Sequence, residues 1–342
     1  MKFPSPKKNY YPLDATIAIT YHCNSRCKMC NIWQIENPPV LRAAAFENLS
    51  PRLRYLNLSG GEPFLHPELI DIVKTVNRAS PKAKLIISTN GLAGDLIVSA
   101  MEKIRAIDPR VGVRISLDGR EDMHDKIRGI PGIFRSALKT LRRLKEIGVD
   151  NIGFSFTLMD ENCADLPYVY DLAKESGVEM AIALVQNSEI YFSKNDNHIS
   201  RTAELEKSLG YVIDSELESF NPKKWARAFY DYGLLLYGRE KKRLLPSGAG
   251  FDSLFIDPNG DIYPSNLIGL KIGNIKDKRL DDIWRSEQAR SVREKIIKEE
   301  INESWIICTI RGQMRKNLPQ VLFWVLANKL KLSASARLRQ KK

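Results

Sequence analysis

The chain has 342 residues, 43% apolar and 27% charged, a balance that excludes a disordered polypeptide and leaves room for a large buried core. No run reaches the roughly 18 apolar residues of a spanning helix, and the basic opening MKFPSPKKNYYPLD lacks the apolar segment of a secretory signal. Five cysteines, three of them clustered, do not form a secreted disulfide framework, so the expectation is a cytoplasmic protein.

In chain order, six β-branched-rich runs alternate with helix-period segments. The runs are Thr16–Thr20, Tyr55–Leu58, Leu85–Ser88, Val111–Leu117, Ile152–Leu158 and Met180–Leu184. The spacing predicts helices over Pro67–Arg78, Asp95–Ile107, Ile133–Ile147 and Ala164–Ser176 between them. Alternation of this kind gives parallel strands with right-handed crossovers, as a barrel or an open sheet. Thr202 to Arg243 reads as two helices. From Pro246 the texture changes: GFDSLFIDPNGDIYPSN alternates and turns at Pro258-Asn259-Gly260, a hairpin signal. A single helix over Leu280–Glu300 follows, then a junction, then LPQVLFWVLANKLKL and an end, SASARLRQKK, expected to be disordered.

In parallel α/β folds, ligands bind on the loops leaving the carboxyl ends of the strands. The first such loop holds Cys23, Cys27 and Cys30. The second holds Gly60-Gly61-Glu62-Pro63, the third Ser88-Thr89-Asn90-Gly91, and the fourth Ser116-Leu117-Asp118-Gly119. Three thiolates from one loop suit an iron–sulfur cube, in which each iron takes one external ligand. Structural zinc prefers four ligands, and the only neighbouring candidate, His22, is adjacent to Cys23 and awkwardly placed to share one ion with it.

The C-x3-C-x2-C loop after the first strand, followed by GGEP after the second, resembles the radical S-adenosylmethionine (radical SAM) superfamily over about residues 14 to 190. The resemblance implies a partial (β/α)6 TIM-like barrel, an α/β fold with a smaller C-terminal α+β accessory domain. It further implies a [4Fe–4S] cluster on Cys23, Cys27 and Cys30, whose fourth iron is chelated by S-adenosylmethionine. One-electron cleavage of that molecule then gives a 5′-deoxyadenosyl radical that abstracts hydrogen. Gly60, Gly61 and Glu62 would receive the methionine amino group, with Pro63 shaping the turn, and Met29 would lie by the adenine. Ser88, Asn90, Ser116 and Asp118 match polar positions near the ribose and carboxylate, and Arg128 is a candidate carboxylate partner. A flavodoxin or ferredoxin is the implied electron donor. No acid/base residue for the later steps stands out, and Cys163, after the fifth strand, reads as structural.

The C-terminal region resembles the accessory domains called SPASM or twitch, through the hairpin, Gly273-Asn274-Ile275 and Trp284. Such domains commonly hold a second cluster on cysteines. Here Ser247 and Ser265 flank Gly260, and Ser304 precedes Cys308, so three of four expected ligands are serine. One thiolate cannot hold a cube, so the accessory fold is expected without its cluster. The expected divisions are 1–220, the barrel; 221–312, the accessory region; and 313–342, a basic tail.

That tail carries much of the net charge of +12: nine Lys or Arg and no Asp or Glu occur from Ser304 to Lys342. Leu318, Val321, Leu322, Val325 and Leu326 recur at helical spacing, giving either a basic amphipathic helix at an anionic membrane surface or a helix packed on the domain. Nucleic acid is disfavoured, because few aromatics interleave the charges. The leading expectation is a radical SAM enzyme acting on an anionic, membrane-associated or lipid-linked substrate, peripheral to the membrane. The alternatives are maturation of a ribosomally made peptide, a non-catalytic iron–sulfur or electron-transfer protein, and a membrane-surface scaffold.

Overall fold

The computed structural model describes residues 10–301 and 304–339. The N-terminal stretch 1–9 and the last three residues of the basic tail lie outside the described residues.

Every expected strand is present. β1 (Asp14–Thr20) is buried at six of its seven positions, as a central parallel strand must be. β2 (Tyr55–Gly60), α1 (Leu69–Ala79), β3 (Lys84–Thr89), α2 (Gly94–Ile107) and β4 (Gly112–Ser116) follow. Next come two helices, α3 (Glu121–Arg128) and α4 (Ile133–Glu146), where one was expected. Gly129, in the left-handed region at φ 67°, ends α3 and separates the two. β5 (Ile152–Leu158), α5 (Leu166–Glu175) and β6 (Glu179–Leu184) complete six parallel strands in the order β6-β5-β4-β3-β2-β1. One face of each strand delivers Ile17, Leu58, Ile87 and Ile115 to the core shared with Ile72, Val76, Met101 and Leu144. Full burial of each such side chain stabilises by about 1.5–3 kcal/mol.

α6 (Thr202–Glu218) and α7 (Pro222–Glu240) form a hairpin, and the expected boundary at residue 220 falls in its turn. The region beyond it does not fold apart from the barrel sheet. β7 (Ser253–Ile256) pairs in parallel with β1, Asp14 opposite Ser253 and Ile17 opposite Ile256. β8 (Asp261–Tyr263) and β9 (Gly273–Asn274) add antiparallel strands, giving one nine-stranded sheet among the described residues. The hairpin turns where expected, on an Asp257 carboxylate that accepts from Asn259 N at 2.9 Å and Asp261 N at 2.8 Å.

The expected single helix over Leu280–Glu300 is instead two, α8 (Leu280–Arg285) and α9 (Glu287–Lys298). Ser286 between them is extended, and its hydroxyl caps α9 by accepting from Ala289 N at 3.2 Å. α10 (Ile307–Lys316) and α11 (Leu318–Arg339) end the described chain, so the segment from Ser333 to Arg339, expected to be disordered, is helical.

Candidate active site

The cysteine loop leaves β1 and rests on the end of α3. Arg26 N donates to Arg128 O at 3.0 Å, Lys28 N to Ile127 O at 2.9 Å, and Ser25 Oγ to Arg128 O at 3.1 Å. Cys23, Cys27 and Cys30 are each half-buried. Backbone N–H groups of Ser25 and Ile32 bond the Cys23 and Cys30 sulfurs. Arg128 Nη1 lies 3.6 Å from Cys27 Sγ. Burial, with the Cys27 charge adding, pushes the Cys23 thiol up to about 12 and the Cys30 thiol to about 11. No group of three or more His, Cys, Asp or Glu among the described residues closes on a single ion. A cube asks for something else: one thiolate per iron, with N–H groups aimed at the sulfurs. The donor set fits that group.

The GGEP turn zips onto this loop. Gly61 N donates to Thr20 O and Glu62 N to His22 O, both at 2.8 Å. A Cβ on Gly60, which stands at φ +122°, would meet Thr20 O at 2.1 Å, and one on Gly61 would meet His22 O at 2.1 Å. Only glycine permits that approach. The Glu62 carboxylate is fully buried and points inward, accepting from Thr89 Oγ1 and Asn90 N, each at 2.8 Å, and from Phe64 N at 3.2 Å. Burial pushes its carboxyl up to about 7 despite those donors. Glu62 thus clamps the ends of β2 and β3 together, and Pro63 opens the short 3-10 turn it caps.

Asn90 continues the clamp, donating from Nδ2 to Asn24 Oδ1 at 2.7 Å, beside Cys23. Ser88 Oγ donates to Asn57 Oδ1 at 3.0 Å, and Ser116, the last residue of β4, is half-buried. Asp118 and Arg128, expected at the ligand's ribose and carboxylate, face each other. Arg128 Nη2 and Nε lie 2.5 and 2.6 Å from Asp118 Oδ2, while Thr157 N donates to Oδ1 at 2.7 Å. Burial pushes the Asp118 carboxyl up and the guanidinium pulls it back. The pair therefore props the loop beneath Cys27. His124 Nδ1 accepts from Asp118 N at 2.9 Å, and burial lowers its pKa to about 3. Met29 packs with Ile127 and Met159 into a small apolar cluster beside Cys27.

One neighbour was not read from the sequence: the segment 185–199 after β6. Tyr21 Oη donates to Ile190 O at 2.5 Å, and Ser59 Oγ and Tyr191 Oη share a hydrogen bond at 2.5 Å. Asn31 N donates to Phe192 O at 2.8 Å, and Asn197 Nδ2 to Met29 O at 3.1 Å. The segment lines a pocket of about 450 Å³ with Gln186, Asn187, Asn195, Asn197 and His198. Its run of Asn and Ser without helical period was the available signal.

In the accessory region, Gly248 N donates to Thr309 O at 2.9 Å and Gly250 N to Pro264 O at 3.2 Å. The segments carrying Ser247, Ser265 and Cys308 therefore meet. The hydroxyls are spoken for locally: Ser247 Oγ accepts from Ala249 N at 3.2 Å and Ser265 Oγ from Leu267 N at 3.3 Å. Ser304 is buried, and burial, with Asp14 nearby, pushes the Cys308 thiol up to about 12. Cys163 is buried and donates to Met159 O at 3.1 Å, a packing role.

Residues 17–173 match the model of the radical SAM superfamily, and residues 248–309 match SPASM, an iron–sulfur cluster-binding domain. Residues 17–173 are thus a radical SAM superfamily domain. Its cofactors are a [4Fe–4S] cluster and S-adenosylmethionine. Among similar proteins, pre-heme d1 synthase of Dinoroseobacter shibae is 26% identical over 298 residues, covering 78% of this chain and 71% of that one. The subtilosin biosynthesis protein AlbA of Bacillus subtilis is 24% identical over 286 residues, covering 80% of this chain but only 60% of AlbA. Streptococcus suis SuiB, solved with S-adenosylmethionine, shares the fold with a TM-score of 0.64 at 16% identity, covering 83% of this chain and 68% of SuiB. The radical SAM match thus holds Cys23, Cys27 and Cys30, and the SPASM match holds a single cysteine, Cys308.

Proposed function

We propose that this radical SAM chain modifies a ribosomally made peptide that enters beside the end of β6. The observation that carries the reading is the pocket lined by carboxamides, whose Asn197 bonds the backbone of Met29 inside the cysteine loop. Asn187 and Asn197 spend their amide groups inside the segment and on Met29 O, which leaves the Gln186 carboxamide to offer both a donor and an acceptor, a better match to peptide backbone than to a flat macrocycle or a lipid chain. AlbA acts in making a bacteriocin, and SuiB has been solved with its precursor peptide SuiA, at a TM-score of 0.59 to this chain. Both support the peptide reading over the anionic or lipid-linked substrate expected from the tail.

When bound, the cluster and S-adenosylmethionine supply one-electron bond cleavage and hydrogen abstraction. The chain's own task is to hold and orient. Cys23, Cys27 and Cys30 hold the cluster, with Arg128 and the N–H groups of Ser25 and Ile32 stabilising their thiolates. The backbone of Gly60 and Gly61 would take the amino group, made rigid from behind by Glu62, Met29 would serve the adenine, and Ser88, Asn90 and Ser116 would serve the ribose. The segment 185–199 excludes water and positions the peptide. A flavodoxin or ferredoxin delivers the electron, and the accessory region holds no second cluster.

The test is anaerobic reconstitution, an iron count, and 5′-deoxyadenosine release with dithionite and S-adenosylmethionine, with and without candidate precursor peptides. Peptide-dependent release with hydrogen loss in the peptide mass is expected, at about four irons per chain. Release stimulated by a porphyrin or a lipid-linked substrate, and by no peptide, would overturn the reading.

A further inference from the structure

The last helix presents apolar side chains in two directions: it packs on the domain, one of the two arrangements expected from sequence, and leaves a second apolar face outside. Val321 and Val325 are buried. Trp324 packs edge-on to Phe229 with ring centroids 5.5 Å apart and lies 5.0 Å from Tyr232. That inner face docks α11 on α7. On the outside, Leu318, Leu322, Leu326 and Leu330 follow one another a turn apart, with Phe323 beside them, all exposed. Phe220, in the turn between α6 and α7, is 92% exposed. It belongs to the same surface, because Lys329 Nζ of α11 sits 5.9 Å from its ring. Two separate segments thus bring large apolar side chains to one uncovered patch, more than scattered exposed residues require.

Charge selects what covers it. Of the nine basic residues from Ser304 onward, with no acid among them, Arg311, Arg315 and Lys316 are engaged with Asp14, Tyr55 and Asp252, as Lys223 is with Glu179. The cations at the patch are Lys329 beside Phe220 and Lys224 after it, and the sequence adds Lys331, Arg337, Arg339, Lys341 and Lys342. Two copies of this chain meeting face to face here would bring like charges together. An anionic lipid surface satisfies both the apolar stripe and the cations. No helix among the described residues is long and apolar enough to cross a membrane, so the helix would lie in the interface plane.

We infer that the outer face of α11 and Phe220 form an interfacial anchor that docks the enzyme on anionic phospholipid. α11 starts far from the cysteine rim. Just before it, Arg311 and Arg315 of α10 bond Asp14 and Tyr55, the first residues of β1 and β2, at the opposite ends of those strands from the catalytic loops. The anchor therefore places the enzyme at a membrane with its site turned toward water. It does not feed lipid to that site, and it stands independently of the peptide reading.

The test is co-sedimentation of the full chain with vesicles of phosphatidylcholine alone or mixed with phosphatidylglycerol. Sedimentation with the mixed vesicles, weakened by salt, is expected. The exposed-face variant Leu322→Glu/Phe323→Glu/Leu326→Glu should lower partitioning by roughly tenfold or more, with unchanged circular dichroism, and Phe220→Ser by about threefold. Wild-type protein left in the supernatant with both vesicle types would overturn the proposal, as would a triple variant that still sediments. A dimer in size-exclusion chromatography that the triple variant abolishes would assign the face to a second copy and overturn it too. 5′-Deoxyadenosine formation, read without vesicles, separates failure of the anchor from failure of the catalytic assignment.

Discussion

The cysteine rim and the accessory region hold their sulfur and hydroxyl positions in contrasting ways. At the rim, N–H donors and Arg128 point at sulfur and glycines clear the backbone, the arrangement that the proposed cluster would need. In the accessory region, Ser247 and Ser265 accept from N–H groups two residues on, as serines in ordinary turns do. The surrounding architecture persists all the same, with Gly248 on Thr309, Gly250 on Pro264, and Trp305 Nε1 donating to Tyr230 O at 2.8 Å. The difference teaches that the accessory segments are tied to one another by backbone bonds and by packing around Trp284 and Trp305, both fully buried.

The widest split between the two regions should come from single cysteines. Cys27→Ala is expected to take iron and 5′-deoxyadenosine to background, whereas Cys308→Ser leaves both unchanged; equal losses would erase the contrast. Next, Ser247→Cys/Ser265→Cys/Ser304→Cys should raise iron from about four to about eight per chain, with added absorbance near the thiolate–iron bands. A count that stays at four would show that the accessory geometry no longer fits a cube.

Arg128→Ala should cost about 3–5 kcal/mol in urea unfolding of the apoprotein, because it strands a buried Asp118. Replacing both partners by leucine should cost less, and equal costs would argue against a shared buried pair. The smallest effect concerns Asp231, fully buried on α7 with no hydrogen bond to either carboxylate oxygen among the described residues. Burial, opposed by Arg227, pushes its carboxyl up to about 8. The folded state then keeps a proton that the unfolded chain releases above about pH 4, so stability falls as pH rises from about 4 to about 8. Asp231→Asn should flatten that slope and gain about 2 kcal/mol at pH 8, measured as the thermal midpoint against pH.

Much of this was legible in the residues themselves. Strand positions follow from β-branched runs, and the cysteine loop and GGEP turn are local patterns whose chemistry is carried by residue type. What was not legible depends on partners distant in sequence. The pairing of Asp118 with Arg128 needs α3 placed under the loop, which no local pattern shows. Nor does the GGEP turn show that Thr89 and Asn90 close on the Glu62 carboxylate. Nothing in Ser253–Ile256 announces a parallel pairing with Asp14–Ile17, and the Asn-rich segment 185–199 has no period to betray that it lines the site. Ser286 breaks a helix that periodicity alone would continue, because its hydroxyl serves α9 better as a cap.

The β1–β7 pairing also sets an order of events in biosynthesis. β1 delivers the cysteine loop, yet one of its edges stays open until residues 253–256 have left the ribosome. Contacts between such distant segments form late and slowly. The nascent barrel therefore carries a bare strand edge through most of translation, a surface that invites mispairing or a chaperone. Completion of the cysteine rim is accordingly timed by the synthesis of β7, the strand that finally encloses the one seating the loop.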